Sequence, residues 1–429
     1  MKLDQYSREA LEKLNSELTQ HLELAQGNRM ALDLSRGKPA PDQLDLAAPL
    51  DQPLQSYIAS DGTDARNYGS LRGLPEARAL GADLTGVPAE NLIATGNSSL
   101  FLMYIASQTA LNQGLWGDKR RWSRTATPKF LTPVPGYDRH FTMSETLGIE
   151  MINIPMTDSG PDMARAEELV RQDPDIKGIW CVPKYANPTG CIYSPETVQR
   201  MAMLPATSAA DDFVVFWDNA YAAHDFTFPR APLTDLYQAA LEAGTEDHVL
   251  LFGSTSKITY ASGGVSFVGA SDSVLDTLEK HLSVMLIGPD KVSQLRHARF
   301  LGGRLEEHMA EHAKLLTPKF DLVEQILSTE LGDLDIASWT HPSGGYFVSL
   351  DVTPGTATEI IDTAREAGLA LTPAGATFPY GRDPDDKNIR IAPTFATLED
   401  LQLALELLTL CVKLVTARRL LEASADLEE

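Results

Sequence analysis

With 429 residues, 43% of them apolar, the chain can bury a sizeable core and is long enough for two domains. A net charge of −23 without any basic cluster argues against nucleic acid and anionic membrane as partners. No apolar run approaches the roughly 20 residues that cross a bilayer, and the charged N-terminus lacks a signal-like apolar core.

The three cysteines, Cys181, Cys191 and Cys411, have neither disulfide nor zinc spacing. The expectation is therefore a metal-free protein of the reducing cytoplasm.

Leu11, Leu14, Leu18 and Leu22 recur at helical spacing, and Gly27 ends the pattern. LDLSRGKPAPDQLD follows, a short apolar run that breaks into a Gly/Pro loop carrying Arg36 and Lys38. Such a loop links elements, and its basic pair can also meet an acidic ligand. Tyr68 lies among turn formers, and Pro75 suits the first turn of a helix. A short strand from Leu92 to Thr95 then breaks at Gly96-Asn97-Ser98-Ser99 into an apolar helix. Strand, glycine turn and helix N-terminus together offer backbone amides and hydroxyls to a phosphate. Asn and Ser are also ordinary helix caps.

Further strands are expected at Lys129–Val134 (ending in Pro135-Gly136-Tyr137), Glu150–Pro155, Lys177–Pro183 and Phe213–Trp217. The third runs into Asn187-Pro188-Thr189-Gly190, and the fourth into Asp218-Asn219-Ala220-Tyr221. The stretch HVLLFGSTSKITYASGG reads as a buried strand that breaks at Gly253 into Ser254, Thr255, Ser256 and Lys257, with another strand from Val265 to Val268. A lysine at the carboxyl end of a buried strand is partly desolvated, which makes its amine a nucleophile toward aldehydes. A lysine capping a solvated loop is the plainer reading of the same residue.

Short, continuously apolar strands separated by helices predict an α/β fold with a mostly parallel sheet covered on both faces. Ligands of such sheets bind beyond the carboxyl ends of the strands. Tyr137, Asn187, Asp218, Tyr221 and Lys257 all follow strand ends. From about Ile287 the pattern turns to long amphipathic helices, then to strands around SGGYFVSLDV, LALTPA and KNIRIAPTF, the last holding Arg390. Thr397-Leu398-Glu399-Asp400 resembles a capping box before a leucine-rich C-terminal helix. A large domain over 50–295 is expected, with a smaller α+β domain formed by 1–49 and 296–429.

Tyr68, Gly96-Asn97-Ser98, Tyr137, N-P-T-G at 187–190, D-N-A-Y at 218–221, S-T-S-K at 254–257 and Arg390 stand in an order that resembles the fold-type I, pyridoxal-phosphate-dependent aminotransferases. The likeness covers nearly the whole chain. LDLSRGKP, PVPGYDRHF and VVFWDNAYA look closest to a bacterial, MocR-type aspartate aminotransferase branch.

The resemblance implies that Lys257 holds the cofactor covalently and shuttles the substrate α-proton, while Asp218 pairs with the pyridinium nitrogen. Asn187 and Tyr221 would bond the phenolic oxygen, and Tyr137 would stack on the ring. Gly96, Asn97, Ser98, Ser254 and Ser256 would receive the phosphate. Tyr68 would reach the phosphate of a partner subunit, implying a homodimer with composite sites. Arg390 would grip the substrate α-carboxylate, with Asn187 beside it. Arg36 and Lys38 rank first for a substrate's second carboxylate, ahead of Lys184, Lys291 and Arg296.

One position departs from the family pattern: Val265 stands where many members carry a phosphate-binding arginine. His140 and His224 follow motif residues and read as structural histidines that could also tune the site.

The implied reaction moves the amino group of an L-amino acid, aspartate foremost, to a 2-oxo acid such as 2-oxoglutarate by a ping-pong cycle. A β-lyase or decarboxylase would use the same lysine site. A ligand-sensing regulator is a third reading, disfavoured by the acidic charge and by the few residues ahead of Ser35, too few for a winged helix.

Overall fold

The computed structural model describes residues 2–27 and 31–426. They divide into two compact units. One comprises 41–186 and 191–313, and the other comprises the residues up to 40, 187–190 and 314 onward. The sequence-based boundaries lay near 50 and 295.

The first unit is built on an eight-stranded sheet in the spatial order Leu92–Ala94, Ser266–Gly269, Val249–Ser254, Val214–Asp218, Ile176–Cys181, Lys129–Val134, Glu150–Thr157, Gly160–Pro161. The pairings among the five strands from Val249–Ser254 to Glu150–Thr157 are all parallel. Ser266–Gly269 runs antiparallel to both of its neighbours, and Gly160–Pro161 runs antiparallel to Glu150–Thr157.

Every residue of Val214–Asp218 is buried, which is why this strand reads as apolar without alternation. The period of two survives inside it: Val215 and Trp217 join one apolar cluster, Val214 and Phe216 the other. Asp218, two residues beyond Phe216, inherits that second face. Gly178 in the neighbouring strand has no room for a side chain, since a Cβ there would stand 2.6 Å from the Phe130 ring.

Helices begin where the turn chemistry predicts. Pro75 opens Pro75–Thr85. Ser194 caps Pro195–Thr207 by accepting the Thr197 N–H at 3.1 Å. Ser99–Asn112 follows the Gly96–Ser98 turn, and Asp138–Thr146 follows Tyr137.

In the second unit, Arg8–Gly27 packs on Leu398–Asp426 and buries Leu11, Leu18 and Leu22. Thr397 caps the latter helix, its hydroxyl accepting the Asp400 N–H at 3.1 Å. An antiparallel sheet orders Ala337–Trp339, Val348–Val352 and Asn388–Ile391. Leu32–Asp33 pairs in parallel with Leu369–Ala370. No described helix is long and apolar enough to cross a membrane, and no disulfide joins the three cysteines.

Candidate active site

Asp218 ends its strand with only 2% of its surface exposed. Its Oδ2 lies 3.2 Å from His140 Nε2, and its Oδ1 has no hydrogen-bond partner among the described residues. The His140 ring stacks on Trp180, centroids 4.5 Å apart, and meets the Tyr137 ring edge-on at 4.9 Å. A buried carboxylate oxygen without a donor is costly, and an N–H from a ligand would relieve that cost.

Lys257 lies within the turn after Val249–Ser254. Its Nζ stands 4.8 Å from the centroid of the buried Tyr221 ring. Desolvation pushes the ammonium below the usual lysine range, and the Asp218 carboxylate opposes that shift. A larger neutral fraction makes the amine a better nucleophile and base. His224 donates its Nε2 proton to the Lys257 carbonyl at 3.2 Å, because a carbonyl can only accept. Burial drives the His224 pKa down to about 3, so its ring is neutral.

The glycine turn meets the lysine strand. Ser256 Oγ donates to the Asn97 carbonyl at 2.6 Å, and Asn97 Nδ2 donates to the Ser262 carbonyl at 2.9 Å. Gly96 has φ +64°, the left-handed turn that its lack of a side chain permits. Ser98 occupies the cap position of Ser99–Asn112 without a side-chain capping bond. Its hydroxyl and the first N–H groups of the helix therefore remain available to an anion. Val265 is buried in the core, its N–H donating to Thr255 Oγ1 and its carbonyl accepting the Thr255 N–H, each at 2.9 Å. An arginine side chain there would have to displace core packing. Tyr68 is 79% exposed.

In the other unit Arg390 is 7% exposed on Asn388–Ile391. Its guanidinium donates to Asn187 Oδ1 at 3.3 Å, to Thr372 Oγ1 at 3.1 Å and to the Ser35 carbonyl at 3.4 Å, and it lies over Phe347 at 4.9 Å. These contacts orient the fork. Lys38 Nζ rests 3.7 Å from the Phe395 ring centroid, whereas Arg36 is exposed and its guanidinium has no recorded partner among the described residues.

Two further basic candidates are engaged elsewhere. Lys184, 4% exposed, is held by Asp225 at 2.9 Å and by the carbonyls of Ala222 and Ala231. Lys291, 1% exposed, donates to the Gly69 carbonyl at 2.7 Å. Arg296 is half-buried on Lys291–Leu301.

The contact from His140 to Asp218 was not evident from sequence. Its only signal is the helical offset that places His140 three residues after Tyr137.

The residues fit pyridoxal phosphate: a donor-seeking buried carboxylate for the ring nitrogen, a lysine of lowered pKa, and a hydroxyl-lined helix N-terminus for the phosphate. The aspartate amino-transferase family model matches residues 6–424. An aminotransferase-like protein of Mycolicibacterium smegmatis is 49% identical over 402 residues, 92% of this chain and 94% of that one. An aspartate aminotransferase of Corynebacterium glutamicum is 40% identical over 422 residues, 97% of this chain and 96% of that one. The crystal structure of an aspartate transaminase from that organism superposes with a TM-score of 0.94 at 40% identity, covering 98% and 99% of the two chains. The chain belongs to the aspartate aminotransferase family, and it is an aminotransferase of the pyridoxal-phosphate-dependent fold type I.

Proposed function

We propose that this aminotransferase moves the amino group of L-aspartate to a 2-oxo acid such as 2-oxoglutarate in a ping-pong cycle, as a cytoplasmic homodimer of the MocR-type branch. The observation that carries the site assignment is Asp218, whose buried, partnerless Oδ1 shares its surroundings with a lysine of lowered pKa. Pyridoxal phosphate, when bound, supplies an electron sink for the carbanion left at the substrate α-carbon.

The protein's own groups do the rest. Asp218 Oδ1 accepts the ring N–H and keeps that nitrogen protonated, while His140 holds Oδ2. Lys257 Nζ accepts the α-proton and returns it, which requires the neutral amine that desolvation favours. Asn187 and Tyr221 donate to the phenolic oxygen, and Tyr137 covers one ring face. The turn at Gly96, Asn97 and Ser98, with the Ser254 hydroxyl, takes the phosphate, and Ser256, whose hydroxyl proton goes to the Asn97 carbonyl, braces that turn. With Val265 apolar, backbone N–H groups and hydroxyls carry most of that load. Tyr68, exposed in one chain, reaches the phosphate of its partner.

Arg390 grips the α-carboxylate, with Asn187 setting the tilt of its fork. Arg36 takes the side-chain carboxylate in preference to Lys38, because Lys38 already lies on Phe395. The unit of 41–186 and 191–313 serves as the cofactor domain, and the other as the smaller domain.

The test is the visible absorbance of the protein loaded with pyridoxal phosphate, followed as single amino acids are added without a 2-oxo acid. Loss of the band with aspartate or glutamate, and its return with 2-oxoglutarate, is the expected result. Loss only with aromatic or aliphatic donors would replace the substrate. A persistent band accompanied by release of ammonia or carbon dioxide would establish a lyase or decarboxylase.

A further inference from the structure

We infer that His308 and His312 are positioning residues for Lys257: their imidazoles clamp the carbonyl of Ile258, the residue that follows the lysine, and fix its backbone. The inference rests on the role proposed for Lys257.

Both histidines lie on Leu305–Leu331, four residues apart and therefore on one face. His308 Nε2 is 2.7 Å and His312 Nε2 is 3.0 Å from the Ile258 oxygen. The two nitrogens are 3.2 Å from each other, as expected when both aim at one atom. A carbonyl has two lone pairs and no proton, so each ring donates one N–H to it. Among the described residues no backbone N–H is recorded at this oxygen, and the imidazoles serve in place of a ladder or helix bond.

The His312 tautomer is fixed from behind. Gln43, fully buried, brings its side-chain NH2 to His312 Nδ1 at 3.4 Å, so Nδ1 accepts and the proton sits on Nε2. The neighbouring residues of the turn are held in the same way. His224 donates to the Lys257 carbonyl at 3.2 Å, and the Thr259 hydroxyl meets His297 Nε2 at 2.9 Å. His297 Nδ1 donates to the Ser293 carbonyl at 2.8 Å, which leaves Nε2 to accept from Thr259.

The turn from Lys257 to Thr259 is thus enclosed by four imidazoles, each making a defined bond to it. The purpose of such a device follows from the chemistry. Lys257 must reach a reacting carbon within a fraction of an ångström, and a displacement of about 1 Å can cost roughly a hundredfold in rate. The Ile258 and Thr259 N–H groups close the turn on the Thr255 carbonyl, each at 2.9 Å, and the clamp ties that turn to the helix behind it.

The experiment compares wild type with His308→Leu/His312→Leu, which removes both donors, and with His308→Gln/His312→Gln, whose amides can donate again. Two readouts are taken: amide hydrogen exchange over residues 255–262 of the apoprotein, and kcat and KM of the loaded enzyme. The leucine pair is expected to speed exchange in that segment at least about tenfold, and to lower kcat about ten- to a hundredfold while KM for the amino donor stays within about twofold. The glutamine pair is expected to recover most of both.

Unchanged local exchange and kcat in the leucine pair would overturn the inference. So would exchange that rises evenly across the whole unit, which marks general destabilisation. If the leucine pair does not fold, His308→Leu alone, which keeps the His312 donor, is read by the same two criteria at intermediate size. A wild type without transaminase activity would defeat the functional reading, and the apoprotein exchange would still decide the clamp.

Discussion

His140 Nε2 and Asp218 Oδ2 meet at 3.2 Å in a site where each residue is only 2% exposed. Trp180, stacked on the imidazole, fixes its plane, so the histidine holds one carboxylate oxygen and leaves the other without a partner among the described residues, as the proposed cofactor role requires. Replacing His140 by leucine removes a hydrogen bond to a charged group, worth about 1.5–3 kcal/mol. The expected result is a kcat lower by about ten- to a hundredfold. Asp218→Asn, which would deprive the ring nitrogen of the carboxylate proposed to pair with it, is expected to cost about 10²–10³ in kcat. Steady-state kinetics of the loaded enzymes check both, and a His140→Leu kcat equal to wild type would remove the residue from the machinery.

Lys257→Ala removes the amine proposed as both nucleophile and base. The expected outcome is loss of the characteristic visible absorbance with pyridoxal phosphate and a fall in turnover of at least about 10²–10⁴. Lys257→Arg keeps the charge but cannot deprotonate near neutrality, and it should fail equally. Normal transamination by either variant, measured with aspartate and 2-oxoglutarate, would dismiss this lysine.

The centre of the sheet was legible because its strands are apolar on both faces, so VVFW and VLLF could be read without knowing their partners. The reversed direction of Ser266–Gly269 was less evident. The link from Ser254 holds the lysine turn and no crossover helix, which suits an antiparallel return. The motif residues at strand ends were visible for the same reason as the strands, since each polar group interrupts an apolar run. His308 and His312 were not visible as functional candidates, and His140 was visible only as a histidine beside a motif without its partner, because their bonds join positions 50, 54 and 78 residues apart. Lys184 illustrates the converse: its charge suggested a ligand, and only the fold shows that Asp225 already holds it.

Arg36 and Arg390 make separable predictions. Arg390→Lys cannot reproduce a bidentate grip on a carboxylate, so kcat/KM should fall about a hundredfold for every amino donor. Arg36→Ala should lower kcat/KM for aspartate by about tenfold and leave an apolar donor such as alanine within about twofold. The ratio of the two donors is the measurement. A ratio that does not change in Arg36→Ala assigns the side-chain carboxylate to another cation.

Asp225 lies at the centre of a buried network that includes Lys184 at 2.9 Å, the Tyr185 hydroxyl at 2.6 Å and the Ala231 N–H at 2.7 Å. Asp225→Asn would leave the Lys184 ammonium buried without a counter-charge. The expected loss of stability is about 3–5 kcal/mol, read from urea unfolding of the apoprotein. Lys184→Met with Asp225→Asn should recover part of it, because the uncompensated charge is then gone.

The four histidines around the lysine turn predict how stability depends on pH. Burial lowers the pKa of His224 to about 3 and of His312 to about 4, and it lowers His297 and His308 as well. The groups facing them add smaller effects. His312, Lys257 and Lys184 press His224 further down, and His308 does the same to His312. Arg304 and Glu307 act oppositely on His308, as do Arg296 and Asp290 on His297. An unfolded chain protonates each ring near pH 6.5, so below that value it binds protons that the folded state refuses. The stability that these neutral rings contribute is complete above about pH 6.5 and declines as the pH falls toward the folded values, at up to about 1.4 kcal/mol per pH unit for each ring. Urea unfolding of the apoprotein at several pH values between about 6.5 and 4.5 measures the slope. Replacing His312 by glutamine should reduce it by close to one proton, and a slope unchanged by that substitution would mean that the ring is already protonated in the folded protein.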